Sequence, residues 1–424
     1  MSRHEQLSEW TTTVSTNMPQ LSKPQATVLA LWSFGIAFTR SCGRGTVATF
    51  LALLLDQKLA SLEQRLYDWC LNASDKAGGK RQDVDVTTCF VPLLRWIVLL
   101  WSGTQLALTI DASSLGDRFV VLAVSVVYRG CAIPVAWTIL PAGQKRAWRR
   151  EWLRMLRLLR PALPRDWTVL VLADRGLYAG WLFARIVRLG WHPFLRINQG
   201  CKFRPAGMTT FVWLNELCGQ VGQRWRGRGT AFSTKESQVE CTLVAWWGEG
   251  HKEPWYILTD LAPEGSDAQW YGLRGWCEQG FKCFKRGGWQ WQMTQMAEPS
   301  RAERVWLALA VATLWVVSVG SEMEVGAGTE GEPGALVERG DKAEMPDVRE
   351  LLGLGGPTQP RRLRLFRLGW VWLLVQGLKG QALALPRRLL PEPWPDIPQQ
   401  LGTVLPLHKR LSYAYMGDML VGSV

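Results

Sequence analysis

The sequence is poor in the residues that build zinc sites and disulfide frameworks. Only four of its 424 residues are histidines, and none of them lies near a cysteine at the spacing of a zinc ligand set: His4, His192, His251 and His408. The nine cysteines are odd in number and contain no Cys-x-x-Cys pair, a pattern typical of a reducing compartment. We therefore expect neither a zinc centre nor a disulfide-stabilised secreted domain.

Long hydrophobic segments are also scarce. The first ten residues, MSRHEQLSEW, contain no apolar run, so no secretory signal is expected. The longest apolar run, at 305–320, has 16 residues, whereas a helix that spans a bilayer needs about 20. We interpret it as a buried core helix. An integral membrane protein built on this run and on runs near 96–108 and 365–375 is an alternative, which solubility without detergent would exclude.

Positive charge and tryptophan are abundant instead. The 49 Lys and Arg residues outnumber the 36 Asp and Glu residues, giving a net charge of +13, which suggests a polyanionic partner and favours nucleic acid over a membrane surface. Most of the 25 tryptophans must fill the core, although indole rings also serve as platforms for stacked bases. With 47% apolar residues, the chain is long enough for two or three folded domains.

The periodicity along the chain predicts an α/β fold. Apolar residues recur at helical spacing through the first ninety residues. Three strand-like runs follow, the last two joined by a hairpin turn at Arg129-Gly130: 106–111, 119–128 and 131–140. A basic helix, a strand, a helix and another strand come next: 146–160, 168–174, 178–189 and 192–197. This order is the one expected of a ribonuclease-H-like mixed sheet flanked by helices.

We predict three regions along the chain. Residues 1–90 form an N-terminal helical module, which either binds DNA or caps the core. Residues 91–320 form the central α/β domain, interrupted at 200–254 by a mostly β insertion. Residues 321–424 combine a Gly- and Glu-rich linker with a C-terminal helical tail, a candidate dimerisation region.

Four polar residues lie on one face of a helix that is expected to begin near Ser266, where Gln269 would complete a capping box. Their spacings return to the same side of a helix at about 100° per residue, so all four fall within roughly 60° of one another: Tyr271, Arg274, Glu278 and Lys285. An acid flanked by a hydroxyl and two cations could hold a metal ion and bind phosphates beside it. Cys277 and Cys283 point elsewhere and are interpreted as core packing.

Two aspartates could complete this site. Asp111 and Asp174 each end an apolar, strand-like run, the position at which an open α/β sheet places its active site. Either aspartate alone could simply end its strand before a turn. Together with Glu278 they predict a two-metal phosphoryl-transfer site, because two Mg²⁺ ions held by carboxylates can activate a nucleophile and stabilise the departing oxygen.

The run Tyr271-x2-Arg274-x3-Glu278-x6-Lys285 resembles the Tyr-Arg-Glu-Lys signature of one branch (IS-four-like) of bacterial insertion-sequence DDE transposases. Asp111 in TIDASS and Asp174 in LADRG look like the first and second acidic residues of that family. The β insertion also matches this branch. The resemblance covers residues 90–320, whereas the flanking regions match only by position and character.

What the resemblance implies is cut-and-paste DNA transposition by a cytoplasmic, nucleoid-associated bacterial enzyme. Asp111, Asp174 and Glu278 would be both the catalytic residues and the ligands of two Mg²⁺ ions, for which Mn²⁺ is expected to substitute. Hydrolysis would free a 3′-hydroxyl at each transposon end, and a hairpin would form before the end is joined to target DNA. The partners would be double-stranded terminal inverted repeats and target DNA, with a homodimer pairing the ends and no membrane association.

The resemblance and the charge pattern also imply DNA contacts. Tyr271, Arg274 and Lys285 would contact the phosphates of the transposon end. Trp255, which opens the strand before the signature helix, would stack on a flipped base, with core packing as its alternative role. Three arginines of the insertion, which the pattern assigns to a turn, are further DNA candidates: Arg224, Arg226 and Arg228.

Two other functions fit the same pattern. A catalytically inactive or domesticated relative would bind DNA without cutting it. A structure-selective nuclease on the same core would cut DNA without joining ends.

Overall fold

The computed structural model describes residues 3–77, 82–143, 148–325 and 365–397. Ten strands in this part of the chain form a mixed sheet flanked by helices, which confirms the predicted α/β class and is consistent with a ribonuclease-H-like fold. The chain divides into two compact units, described in turn below. Unit 1 comprises Met1–Val169 and Leu273–Glu392, and unit 2 comprises Leu170–Gly272 and Pro393–Val424.

Unit 1 contains an antiparallel meander of three strands in the order β3-β2-β1. The strands are β1 (Gln105–Leu115), β2 (Phe119–Tyr128) and β3 (Cys131–Pro141). Arg129 and Gly130 have positive φ angles of 44° and 81°, as a two-residue type I′ hairpin requires. Tyr128 pairs with Cys131 across this turn. The predicted β2, β3 and hairpin are therefore confirmed, whereas β1 is longer than the predicted 106–111.

Helices make up the rest of unit 1, and two short helices belong to unit 2. In chain order they are α1 (Arg3–Asn17), α2 (Lys23–Thr39), α3 (Arg44–Leu55), α4 (Leu59–Cys70), α5 (Thr87–Leu100), α6 (Arg149–Leu159), α7 (Gly180–Arg188), α8 (Leu214–Leu217), α9 (Gly275–Phe284), α10 (Pro299–Val325) and α11 (Leu365–Leu378). Helices α7 and α8 are those of unit 2. The helical character predicted for the N-terminal region is confirmed, and the basic helix is α6, although Arg146 lies outside the described residues.

The apolar run at 305–320 lies within α10, which packs in the core of unit 1. By length and composition, α10 is the one helix of the described part that could cross a membrane, yet 94% of its most apolar window is buried. The indole ring of Trp315 stacks on Trp10 of α1 at a centroid distance of 4.0 Å. Gly320 of α10 and Gly369 of α11 meet where a Cβ on either would clash with the opposite backbone, so glycine permits the close approach of these helices.

Unit 2 contains the strand order β4-β5-β10-β9-β8-β6-β7. Strands β4 and β5 are parallel with α7 between them, and the other neighbours are antiparallel. The bounds are β4 (Thr168–Ala173), β5 (His192–Arg196), β6 (Lys202–Pro205), β7 (Val212–Trp213), β8 (Arg224–Ala231), β9 (Val239–Trp246) and β10 (Trp255–Thr259). The mostly β character predicted for the insertion agrees with these strands.

The region boundaries inferred from the sequence remain predictions. Residues 321–325, which the sequence assigned to the linker, extend α10. The rest of the predicted linker, from residue 326, and the tail beyond residue 397 lie outside the described residues.

Candidate active site

The signature residues lie on two consecutive helical segments rather than on one α-helix. Ala268–Arg274 is a 3₁₀-helix, Gly275–Phe284 is the α-helix α9, and Lys285 follows as its C-cap. The single predicted helix is therefore wrong. Gly272 and Gly275 give a physical reason, since each weakens an α-helix by about 0.5–1 kcal/mol, and a 3₁₀ turn is a common way to begin one.

The start of the helical segment is set by Asp267 rather than by Ser266. The Asp267 carboxylate accepts the backbone N–H of Gln269 at 2.8 Å, as an N-terminal capping residue does. The Ser266 hydroxyl instead donates to the carbonyl of Ala262 at 3.1 Å. The predicted capping box between Ser266 and Gln269 is therefore wrong, because the neighbouring carboxylate is the stronger acceptor.

Within unit 1, one guanidinium group joins two of the predicted catalytic carboxylates. Arg274 Nη2 lies 2.9 Å from Asp111 Oδ2, and Arg274 Nη1 lies 3.4 Å from Glu278 Oε1. The Arg274 and Asp111 side chains are 10% and 14% exposed, whereas Glu278 is 62% exposed. Because the Arg274 and Asp111 side chains are largely shielded from water, their charge-assisted contact is stronger than an ion pair on the surface. Asp111 and Glu278 thus converge on a common cation.

Asp111 lies inside β1 and does not end it. It pairs with Ala123, and pairing with β2 continues to Leu115. From Leu106 to Ile110 the strand is buried, and from Asp111 its residues are half-buried or exposed until Leu115. The end of the apolar run was therefore predicted correctly but the end of the strand was not, because a strand continues for as long as a neighbour offers backbone partners.

Cys277 is part of this group, which the sequence interpretation missed. Its Sγ lies 3.7 Å from Asp111 Oδ2. Burial raises the pKa of the Cys277 thiol to about 12, and the charge of Asp111 adds to the effect. The thiol therefore stays protonated and donates a weak hydrogen bond to the carboxylate. Cys277 is not only core packing, and no spacing signal in the sequence would have revealed the contact.

Lys285 lies beside the second half of β1. Its Nζ donates to Ser113 Oγ at 2.9 Å and to the carbonyl of Ser114 at 3.1 Å. Burial lowers the pKa of the Lys285 ammonium. The contact brings a cation to the strand that carries Asp111. Both serines belong to the same TIDASS segment as Asp111.

The donor set of unit 1 suits a hard cation. Asp111 and Glu278 offer carboxylate oxygens, the ligands that Mg²⁺ prefers, and both already contact the positive charge of Arg274. In the described ranges, no group of three or more His, Cys, Asp or Glu side chains is close enough to hold a metal ion. The two carboxylates therefore have the oxygen atoms that a cation prefers, and both contact one cationic group, the Arg274 guanidinium.

Asp174 belongs to unit 2 and directly follows β4, as predicted. Its Oδ1 accepts the backbone N–H of Gly176 at 2.9 Å, and its carbonyl accepts the N–H of Leu177 at 3.0 Å. The first bond forms an Asx turn and the second a β-turn, and together they hold the carboxylate at the end of the buried strand. The side chain is half-buried.

Trp255 lies in a group of rings in unit 2. It stacks on His251 at a centroid distance of 4.5 Å and meets Trp246 and Tyr271 edge-on at 5.5 and 5.3 Å. We call these four residues the aromatic cluster. Trp255 opens β10, as predicted, and is half-buried, so it is neither a fully buried core residue nor a free platform. Arg196, which the sequence interpretation missed, lies 5.8 Å from the Tyr271 ring centre.

The three insertion arginines lie on strand β8 and not on a turn. Arg224 makes two contacts of 3.0 Å with the Asp267 carboxylate and lies 4.7 Å from the Trp246 ring centre. This pairing holds Arg224 within the fold. Arg226 is half-buried and Arg228 is exposed. The turn prediction is wrong because Gly227 and Gly229 lie within the strand. A Cβ at these positions would clash with the rings of Trp225 and Phe203, so glycine serves close packing here and not a turn.

Comparison with known proteins adds a family-level finding. Residues 139–315 match the family model described as a transposase DDE domain. The matched range includes Asp174, Trp255 and the four signature residues, and begins after Asp111. No curated protein matches the chain. The similarity of this segment to a transposase DDE domain supports a DDE transposase family, and a transposase function in general, for the chain.

Proposed function

We propose that this protein is a DNA transposase that moves an insertion sequence by cut-and-paste transposition. The observation that carries the proposal is the convergence of Asp111 and Glu278 on Arg274, in a chain whose residues 139–315 resemble a transposase DDE domain. The reaction would be hydrolysis at each transposon end, followed by joining of the freed 3′-hydroxyl to target DNA. Each step is an in-line displacement at phosphorus.

The proposed metal ligands are Asp111, Asp174 and Glu278. Two bound Mg²⁺ ions, for which Mn²⁺ would substitute, supply electrostatic stabilisation of the attacking and departing oxygens. The Asx-type turn at Asp174 holds its carboxylate in a fixed orientation. Cys277, a neutral donor to Asp111, orients that carboxylate without adding charge.

The proposed phosphate contacts are Tyr271, Arg274 and Lys285. Arg274 presents a planar fork of donors, which suits a phosphate as well as the carboxylates that it now binds. When the DNA end arrives, the Arg274 guanidinium would exchange a carboxylate partner for a phosphate oxygen. Lys285 would provide a point charge beside β1.

Trp255 would stack on a base flipped from the transposon end while a hairpin forms. Its half-buried ring and its neighbours in the aromatic cluster support this proposal, because such a platform is already oriented. Arg228 is the insertion arginine best suited to DNA. Arg224 would act indirectly, since it is held by Asp267.

The proposal extends to assembly and place of action. A homodimer would pair the two transposon ends, with the C-terminal region as the candidate interface. The enzyme would work in the bacterial cytoplasm, associated with the nucleoid. The net charge of +13 supports a polyanionic partner such as DNA.

The experiment is a Mg²⁺-dependent cleavage assay on supercoiled DNA that carries the native gene with its flanks, with the cut ends mapped by sequencing. Cuts at a pair of inverted repeats that bracket the gene, followed by joining to a second DNA, support the transposase. Cuts without joining would instead indicate a structure-selective nuclease. Binding to the flanks without any cut would indicate an inactive or domesticated relative.

A further inference from the structure

One face of the β6–β7 ribbon in unit 2 carries cations and aromatic rings side by side. Lys202 of β6 pairs with Trp213 of β7, and its Nζ lies 4.3 Å from the indole ring centre. Two residues along β6, the Arg204 guanidinium lies 4.9 Å from the ring centre of Phe211. The intervening Phe203 is fully buried on the opposite face, as the alternation of a strand requires.

A third cation extends this face onto β8. Arg204 lies opposite Thr230 in the β6–β8 ladder, and Arg228, two residues from Thr230, shares its side of the sheet. An open cleft of about 520 Å³ is lined by Arg204, Arg228 and Glu240, among others. Glu240 accepts a hydrogen bond from the Thr230 hydroxyl at 2.5 Å, and that hydroxyl in turn accepts one from Arg204 at 3.0 Å. Counting Lys202 on β6, this side of the sheet carries three cations beside Glu240, the one carboxylate among the described residues that line the cleft.

We call this the basic–aromatic face and define it by five residues: Lys202, Arg204, Phe211, Trp213 and Arg228. Its exposure is unusual for aromatic residues of this protein. Trp213 is 47% exposed, whereas nine other tryptophans are less than 2% exposed. A solvent-exposed indole ring beside an ammonium group offers a preformed binding surface for a ligand that has both negative charge and flat groups.

We propose that the basic–aromatic face binds the backbone of duplex DNA next to the transposon end, without preference for sequence. The proposal rests on the transposase function and adds a DNA-binding surface to it. Lys202, Arg204 and Arg228 contact phosphate oxygens, where contacts fix position rather than read bases. Trp213 packs against the sugars and holds Lys202 in place through their cation–π contact.

The test uses the full-length protein and fluorescence anisotropy with two labelled duplexes of equal length, one bearing the native gene flank and one of unrelated sequence. The double variant Lys202→Gln/Arg228→Gln removes two charges but leaves the Arg204–Thr230 hydrogen bond intact. The matched control, Arg188→Gln/Lys235→Gln, removes two exposed charges of unit 2 that lie off this face. Binding is measured across a series of salt concentrations.

We expect the double variant to weaken binding to both duplexes about tenfold at 150 mM salt. The slope of log affinity against log salt should become shallower by about 1.8, since each lost phosphate contact contributes about 0.9. Trp213→Ala should weaken binding about two- to fivefold and leave the slope unchanged, because an aromatic contact releases no counterions.

Two results would overturn the proposal. If the double variant matches the control in affinity and slope while the wild-type protein binds, the basic–aromatic face is not a DNA surface, and the transposase proposal is untouched. If the wild-type protein binds neither duplex, both proposals fail together.

Discussion

Arg274 and Asp111 form a mostly buried ion pair, with Arg274 Nη2 2.9 Å from Asp111 Oδ2. The same guanidinium reaches Glu278 four residues along the chain. One arginine therefore contacts both carboxylates that are proposed to hold metal ions, and its single positive charge offsets one of their two negative charges. The arrangement prevents unfavourable repulsion between the acids, and it makes Arg274 a competitor of any cation that enters.

Arg274→Ala should raise the affinity of the DNA-free protein for Mn²⁺ by about tenfold. A charge-assisted hydrogen bond contributes about 1.5–3 kcal/mol, and the substitution removes the positive charge that both carboxylates contact. Isothermal titration with Mn²⁺ measures the change. Affinity for the transposon end should fall in the same variant, since a proposed phosphate contact is lost.

The matched control for Arg274 is Arg301→Ala. Arg301 also pairs with a nearby acid, Glu298, at 3.0 Å, but lies away from the proposed site residues in sequence and contact. Its loss should leave Mn²⁺ affinity unchanged. An unchanged or lower Mn²⁺ affinity in Arg274→Ala would contradict the competition between arginine and metal.

Trp255→Ala should permit the first nick and slow hairpin formation about tenfold or more. The reason is the loss of a stacking platform, which contributes about 1–3 kcal/mol per base. Gel assays with end-labelled DNA resolve the nick from the hairpin. Trp255→Phe retains a ring in the aromatic cluster and should recover most of the rate. A normal hairpin step in the alanine variant would assign Trp255 to packing alone.

Glu303→Gln should stabilise the protein increasingly as the pH rises. Burial raises the pKa of the Glu303 carboxyl, although its hydrogen bond from the Ile139 N–H and the charge of Arg154 oppose the shift. The stability associated with the protonated form is complete below the unfolded pKa, about 4.3, and is lost as the pH rises through the higher folded pKa. Glutamine keeps an acceptor for Ile139 and never ionises.

Thermal unfolding at pH 4, 6 and 8 tests this expectation. The difference in Tm between Glu303→Gln and wild type should be smallest at pH 4 and largest at pH 8. Glu298→Gln, at a site that is 52% exposed, serves as the control for replacing a carboxylate at the surface. A Tm difference for Glu303→Gln that is the same at all three pH values would show that the Glu303 charge is not penalised in the fold.

Local patterns in the sequence predicted the elements whose formation depends on neighbours along the chain. The apolar runs of β2 and β3 and the Arg129-Gly130 turn appear as expected, since turn residues with positive φ determine a hairpin locally. Asp174 follows its strand, and the apolar run of α10 is buried. Alternation and turn chemistry carry this information without any tertiary contact.

The misplaced features depend on residues far apart in the chain. Asp111 lies inside β1 because β2 supplies partners beyond it. Arg224 is held by Asp267, which is 43 residues away, and Cys277 contacts Asp111 across 166 residues. The signature changes from 3₁₀ to α geometry near glycines that weaken a helix. Tertiary packing compensates for the lost helix stability, as where Gly280 of α9 lies directly against Ala132 of β3. Residue spacing alone holds no information about such contacts.

We propose that Asp111, Asp174 and Glu278 act as one catalytic set. The most direct measurement is the single-turnover rate of Mg²⁺-dependent cleavage at the terminal repeats for Asp111→Asn, Asp174→Asn and Glu278→Gln, with end binding measured in parallel. We predict that each variant binds the ends yet cuts at least about a thousandfold more slowly, and that pairs of substitutions cost little more than single ones, because the residues act as a unit. A wild-type cleavage rate in any one of the three variants would contradict the assignment.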